Sequence, residues 1–144
     1  GAYMINDNLT LKGRLNIALN GETVQEVDNL VVTVGKNFVA SRMAAASATV
    51  MSHMAIGSGT NNPAASDTTL QTELGRESLT AGASSTNTVV YIATFAAGTG
   101  TGAVTEAGIL NASSGGTLLC RTEFSVVNKG SADSMTITWT ITVS

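Results

Sequence analysis

The stretch SMTITWTITVS, residues 134–144, decides the fold class, because apolar and threonine side chains alternate along its whole length. Successive side chains of a β-strand point to opposite faces of the sheet, so this pattern predicts one buried face and one exposed face. The expected buried residues are Met135, Ile137, Trp139, Ile141 and Val143, and the expected exposed residues are Thr136, Thr138, Thr140 and Thr142. A sheet with one solvated face is typically antiparallel.

The N-terminal part of the chain predicts a hairpin. LKGRLNIAL, residues 11–19, alternates in the same way and ends at Asn20-Gly21. This dipeptide readily adopts the positive φ values of a tight hairpin turn. A second strand, VQEVDNLVV (residues 24–32), is expected to follow.

The middle and C-terminal parts predict further strands. TVVYIATF, residues 88–95, is apolar on both faces, which favours a central strand. AVTEAGIL (103–110) and TLLCRTEF (117–124) are separated by a turn that contains Gly115 and Gly116, so we expect these two strands to form a hairpin.

Two segments favour helices. In residues 36–48 the side chains Phe38, Val39, Arg42, Met43 and Ala46 recur at helical spacing among several alanines. A second, short helix is expected near residues 67–74. Asp67 or Ser66 would cap it, Gly75 would end it, and Leu70 with Leu74 would hold it against the core.

Composition indicates a single domain. The chain has 144 residues, of which 43% are hydrophobic, enough apolar surface for one core. We expect residues 1–3 to be a cloning remnant and residues 4–144 to form one β-rich domain. The predicted fold is mainly β: an antiparallel β-sandwich of jelly-roll-like type or a small barrel, with the two helices named above.

Charge and hydropathy argue against two classes of partner. The net charge is −3 and the few lysines and arginines are scattered, so the chain lacks the basic patch that binds nucleic acid. No apolar run approaches the roughly 20 residues that span a bilayer. We therefore expect neither nucleic acid nor a membrane as a partner.

Candidate catalytic groups are few. His53 is the one histidine and lies between methionines that indicate packing, while Cys120, the one cysteine, lies within a predicted strand. GTGTG, residues 98–102, precedes a strand rather than a helix, so we interpret it as a flexible hairpin loop and not as a phosphate loop. We expect no catalytic residue, no cofactor and no metal, and hence a protein that is not an enzyme.

Glu106 is the most informative carboxylate because it lies within a predicted strand. If its side chain points inward it needs a cationic partner, such as Arg76 or Arg121. We interpret it as half of a structural ion pair, with ligand binding as the alternative. Asp67 and Glu73 are interpreted as helix cap and helix surface. Either Glu73 or Glu77 is expected to pair with Arg76 or Arg42.

Several motifs, in order, resemble small structural proteins and fibre modules of tailed bacteriophages, over nearly the whole chain after Leu9. The residues that carry the resemblance are Gly35, Ile56-Gly57-Ser58-Gly59, Pro63, Thr69-Leu70, Glu73, Arg76, Glu106-Ala107-Gly108, Arg121, Lys129 and Thr136-Ile137-Thr138-Trp139.

The resemblance implies a virion component made in the bacterial cytoplasm. Its partners would be the major capsid protein or tail proteins, and it would form a homodimer or homotrimer. We expect a capsid decoration (cement) protein on the outer surface of the particle, because the chain shows no coiled coil or shaft repeat. The alternative is a tail-fibre, collar or baseplate module that binds a receptor or a glycan. A hydrolase built on His53 is a third, disfavoured class.

Overall fold

Two antiparallel sheets of five strands each form the fold in the computed structural model, which describes residues 9–44 and 49–144. Along these residues the elements are β1 (Leu11–Leu19), β2 (Glu22–Asp28), β3 (Leu30–Val31), α1 (Thr33–Ala44), β4 (His53–Gly57), β5 (Glu73–Ser78), β6 (Ala81–Ser85), β7 (Thr88–Phe95), β8 (Gly102–Leu110), β9 (Leu118–Lys129) and β10 (Met135–Val143). Sheet A has the order β2-β1-β10-β7-β6, and sheet B has the order β3-β9-β8-β4-β5.

The main hydrophobic core draws on both sheets. Leu15, Ile137 and Trp139 of sheet A share one buried cluster with Met54 and Ile109 of sheet B. Such a shared core is the arrangement of a β-sandwich. The predicted antiparallel β-sandwich is therefore confirmed, and the described strands form two separate sheets rather than one closed barrel.

β10 has the alternation that its sequence predicts. Met135, Ile137 and Trp139 are fully buried, while the threonines between them are half-buried on the opposite face. The strand pairs with β1 on one side and with β7 on the other, so it is the central strand of sheet A. β7 also lies inside the sheet, between β10 and β6, as its two apolar faces predict.

The β1–β2 hairpin turns at Asn20 (φ 50°) and Gly21 (φ 85°), as predicted. The single strand expected over residues 24–32 is wrong, because the chain leaves sheet A after Asp28 and enters sheet B at Leu30. Asn29 lies at this crossing, and its Oδ1 accepts a hydrogen bond of 3.0 Å from the indole nitrogen of Trp139. The crossing thus provides the partner that a buried indole N–H requires.

Both faces of sheet B are buried around β4. In β4, Met54 and Ile56 contribute to the main core, whereas Ala55 between them belongs to a second cluster on the opposite face. That second cluster also contains Leu70, from the segment of residues 58–72 that follows β4. We call this segment the covering loop.

α1 begins at Thr33, three residues before the predicted start, and the predicted residues 45–48 lie outside the described part. Phe38 and Val39 pack against the main core, as their spacing predicts. Met43 does not: its side chain is 81% exposed, in an apolar groove between α1 and the start of β1. A side chain on Gly35 would overlap the carbonyl of Leu119, so this glycine permits close contact between α1 and β9.

Candidate functional site

The outer face of sheet A is a surface rich in threonine, with the charged side chains Lys12 and Arg14 on β1. Its centre is the row Thr136, Thr138, Thr140 and Thr142 of β10, all half-buried. In the pairing register Thr138 lies between Asn16 of β1 and Ile92 of β7. Thr140 in turn lies between Arg14 and Val90. We call this surface, formed by the outward side chains of β1, β10 and β7, the threonine face.

Threonine combines a hydroxyl group with a methyl group and has few χ1 rotamers. A row of threonines on a sheet thus offers both hydrogen bonds and apolar contact. Its side chains lose little conformational entropy when another surface binds. Thr94 and Thr136 already form such a cross-strand pair, with 3.0 Å between their hydroxyl oxygens. The threonine face is therefore suited to contact with another protein surface.

The β1 side of the threonine face carries Arg14, which pairs with acidic residues of β2. Arg14 donates to Asp28 at 3.1 Å and to Glu26 at 3.3 Å, and these hydrogen bonds raise the pKa of the Arg14 guanidinium. All three side chains are more than half exposed, so the pairs contribute little to folding stability. They line a shallow depression of about 470 Å³.

A buried carboxylate organises the opposite side of the molecule. Glu106 of β8 has no exposed surface and accepts four hydrogen bonds. Three come from backbone N–H groups of the covering loop: Gly59 at 2.6 Å, Gln71 at 2.8 Å and Thr72 at 2.8 Å. The fourth comes from Nε of Arg121 at 3.0 Å.

Arg121 links this carboxylate to a second one. Its Nη1 donates to Oδ2 of Asp67 at 3.0 Å, and its Nη2 donates to the carbonyl of Asn61 at 3.1 Å. Asp67 also accepts from the backbone N–H of Ala64 at 2.9 Å. Glu106, Arg121 and Asp67 together form what we call the loop clamp.

The loop clamp holds the covering loop on sheet B. Because three loop amides donate to Glu106, backbone groups that would otherwise be buried without partners are satisfied. Gly59 makes this approach possible, since a side chain there would overlap the carboxylate of Glu106. The geometry supports the predicted structural ion pair of Glu106 and selects Arg121 rather than Arg76 as its partner.

The short helix predicted near residues 67–74 is wrong. Residues 67–72 have irregular structure, and Gly75 lies within β5 instead of ending a helix. Asp67 caps no helix. Its carboxylate accepts hydrogen bonds from the backbone N–H of Ala64, in a turn, and from the guanidinium of Arg121. Leu70 is buried as predicted, but Leu74 is 36% exposed on β5.

Arg76 has different partners from those of the loop clamp. Its Nη2 donates to Glu73 at 2.7 Å, so one of the pairs expected from sequence is present. Its Nη1 donates to the carbonyls of Ala112 and Gly115, each at 2.9 Å. Arg76 thereby fastens the β8–β9 turn to β5.

His53 lies at the start of β4, between two serines. Its Nδ1 is 2.7 Å from Oγ of Ser52, and its Nε2 is 3.3 Å from Oγ of Ser78. These contacts occupy both ring nitrogens with hydroxyl groups. A hydrolytic triad would need a carboxylate on one of them.

Cys120 is fully buried, and burial raises the pKa of its thiol well above the ordinary value. A thiol in this state is a poor nucleophile and a poor metal ligand. The described residues contain no cluster of three or more histidine, cysteine or acidic side chains that could hold a metal ion. In the same part of the chain, no helix has the length and apolar character needed to cross a membrane.

The GTGTG segment is not a hairpin loop, because it connects β7 of sheet A to β8 of sheet B. Gly98, Gly100 and Gly102 all have positive φ values, which glycine adopts at little cost. A side chain on Gly100 would overlap Ile56, so the segment is packed against sheet B. It is a crossing between the two sheets.

Buried Lys129 was not predicted to have a structural role, although it is among the residues of the phage resemblance. Its side chain is 1% exposed, and its Nζ donates to the carbonyl of Ala96 at 2.9 Å. It thus holds the start of the β7–β8 crossing. A single lysine at a strand end has no sequence signal that distinguishes this role from an exposed one.

Comparison of the chain with family models, curated proteins and solved structures found no match in any of the three.

Proposed function

We propose that this chain is a non-enzymatic structural protein of a bacteriophage virion, and specifically a decoration (cement) protein on the outer surface of the capsid. The observation that carries the proposal is the threonine face. It presents hydroxyl and methyl groups on the rigid central strand of a sheet, in a form suited to protein contact. The resemblance to small phage structural proteins supplies the virion setting.

A capsid lattice suits such a surface. A decoration protein meets many equivalent sites, so modest contacts suffice when an oligomer engages several of them together. The threonine face offers contacts of this kind, and its charged residues are confined to the side of β1 and β2. The outer face of sheet B is covered in part by the covering loop and by Val34 of α1, so the outer face of sheet A is the more open of the two.

Three of the six aromatic residues are unavailable for glycan binding. Trp139 and Phe95 are fully buried and Phe124 is 4% exposed. Aromatic rings that stack on sugars must be accessible, so these three cannot form a sugar platform in the folded domain. A tail-fibre, collar or baseplate module is the alternative function. The location of the protein on the virion distinguishes it from a capsid decoration protein.

The test is to locate the protein on virions of the phage that encodes it, by cryo-electron microscopy and by antibody labelling. The proposal expects density and label over the whole capsid shell. Label confined to the tail would overturn the capsid assignment in favour of a tail module. A complete lack of label would overturn the virion role itself.

A pair of variants connects the location to the threonine face. Thr138→Glu places a charge at the centre of the face, and Ser114→Glu places the same charge on the exposed β8–β9 turn. Purified Thr138→Glu protein should bind capsids that lack the wild-type protein at least about tenfold more weakly, because the charge must be desolvated on contact. Ser114→Glu should bind as the wild type does. Equal binding by both variants would exclude the threonine face as the contact.

A further inference from the structure

The four sheet edges differ in how they are protected. Exposed edge strands pair with other chains unless charges, bulges or short length prevent it. β3 has two residues and leads directly into α1. β2 and β5 each have a register shift against their neighbour, and each carries charged residues: Glu22, Glu26 and Asp28 on β2, and Glu73, Arg76 and Glu77 on β5.

β6 has neither a charged residue nor a register shift between Ala81 and Ser85. Its sequence is Ala-Gly-Ala-Ser-Ser, and it pairs with β7 in unbroken register from Ala81 to Ser85. The strand is the last in sheet A, and its residues 82–85 are exposed. Its outer edge is therefore open along the strand.

The register shows which backbone groups point outward. β6 and β7 are joined by the two-residue turn Thr86-Asn87, with φ 52° at Thr86. In such a hairpin the residues that flank the turn form a hydrogen-bonded pair, and the pairs then alternate. Ser85 and Ala83 thus bond to β7. Gly82 and Ser84 direct their N–H and C=O groups to the open edge.

The chain segment that contains β6 carries no charged side chain. Residues 78–105 contain no aspartate, glutamate, lysine, arginine or histidine. They include all of β6 and β7 and the crossing to β8. Two copies can therefore bring their β6 strands together without repulsion between charges on those strands.

We propose that β6 pairs with β6 of a second copy of this chain, antiparallel across a two-fold axis at Ala83. Gly82 then exchanges two hydrogen bonds with Ser84 of the second copy, and Ser84 exchanges two with Gly82 of that copy. The strand is complementary to itself because its two outward residues lie symmetrically about Ala83. The two five-stranded A sheets join into one sheet of ten strands.

Small side chains allow this approach. Ala83 lies beside Val90 in the register, on the outer face of sheet A. A Cβ on Gly82 would lie 3.6 Å from the Tyr91 ring, so this residue belongs to the other face. Across the axis Ala83 meets its own copy, and the joined sheet extends the threonine face over both subunits. The inference deepens the proposed function by naming the surface that forms the homo-oligomer.

A charge-exchange experiment tests the pairing, with association measured by sedimentation velocity on the purified proteins. The wild type should be dimeric. Ala83→Glu and Ala83→Lys should each raise the dimer Kd by at least about tenfold, because like charges then lie directly opposite each other. An equimolar mixture of the two variants should recover a heterodimer, which a two-fold contact at Ala83 requires.

Matched controls keep the outcome decisive. Ser114→Glu and Ser114→Lys carry the same charges on the exposed β8–β9 turn, outside β6, and should remain dimeric. Ser84→Pro removes an outward N–H without adding charge and should also dissociate the dimer. Denaturation followed by fluorescence of the buried Trp139 verifies that each variant is folded.

Three results would overturn the inference: a monomeric wild type at about 100 μM protein, dimers unaffected by the Ala83 charges, or no heterodimer in the mixture. A trimer, or a dimer through another edge, would give the second or third result. These results are independent of capsid location. A dimer that is absent from virions contradicts only the proposed function, and a capsid-bound monomer contradicts only the pairing.

Discussion

Replacement of Glu106 by glutamine should remove much of the stability of the domain, although the two side chains have almost the same size. The carboxylate is fully buried and accepts four hydrogen bonds, at 2.6, 2.8, 2.8 and 3.0 Å. Each oxygen accepts two of them: Oε2 from Gly59 and Thr72, and Oε1 from Gln71 and Arg121. In glutamine an NH₂ group replaces one of these two oxygens. Because NH₂ is itself a hydrogen-bond donor, it cannot accept from the two donors at that position.

The expected loss follows from that geometry. Two buried donors lose their acceptors, at about 1–3 kcal/mol each. Arg121 also loses one of its two carboxylate partners, and removal of one member of a buried ion pair typically costs about 3–5 kcal/mol. Because these terms overlap, we expect the free energy of unfolding to fall by about 3–5 kcal/mol. The usual total for a domain is about 5–15 kcal/mol.

The assay is urea denaturation followed by the fluorescence of Trp139, the single tryptophan, which is fully buried. Amide hydrogen exchange should complement it, because a loss confined to the covering loop would leave Trp139 undisturbed. The amides of Gly59 and Thr72 should exchange faster in the variant than in the wild type.

Glu26→Gln is the matched control. Glu26 also pairs with an arginine, Arg14, but its side chain is 54% exposed, so the change should stay within about 1 kcal/mol. If Glu106→Gln also cost less than about 1 kcal/mol and left the loop amides protected, the reasoning about the loop clamp would be refuted.

Three further predictions concern single positions. Gly59→Ala should lower the free energy of unfolding by about 1–3 kcal/mol in urea denaturation, because the added methyl group overlaps the Glu106 carboxylate; an unchanged midpoint would contradict this. Leu70→Ala should lower the free energy of unfolding by about 2–5 kcal/mol, because Leu70 is 6% exposed in the second core cluster. The control Leu9→Ala, at a side chain 73% exposed, should lower it by less than about 0.5 kcal/mol. Equal losses in the two variants would argue against that cluster. The buried thiol of Cys120 has a raised pKa, so its contribution to stability is complete below the ordinary pKa of 9.0 and is lost as the pH rises above it. Cys120→Ala should therefore show a weaker fall in unfolding free energy above about pH 9, and an identical fall in both proteins would contradict this.

Much of the fold could be predicted from local patterns. The alternation in residues 134–144, the Asn20-Gly21 turn and the glycine turn at Gly115-Gly116 all correspond to observed structure. Each of these signals depends on backbone geometry within a few residues, so it is fully present in the sequence. The pairing of β8 with β9 follows for the same reason.

The covering loop could not be predicted in this way. Its residues 67–74 have a helix-like pattern, yet backbone groups that a helix would use internally donate to Glu106, more than thirty residues away. Residues 24–32 similarly resemble one strand, but the chain changes sheets at Asn29 to meet Trp139. In both cases a distant buried polar group competes with the local preference.

The candidate site also has some features that the sequence predicts and others that it does not. Side-chain alternation alone identifies the threonines of β10 as an exposed row, and the position of Glu106 within an apolar strand indicates a carboxylate in need of an arginine. The choice of Arg121 over Arg76 and the open edge at β6 have no comparable local signal. Both depend on which strands become neighbours.

The sequence by itself determined that residues 11–19 and 134–144 form strands with one buried and one more exposed face, because side-chain alternation is a property of each strand alone. The tertiary structure decided the division into two sheets, the partner of each buried charge and the strand that remains at an unprotected edge. These features arise from contacts between residues far apart in the chain, and the energy of such contacts leaves no periodic trace in the sequence.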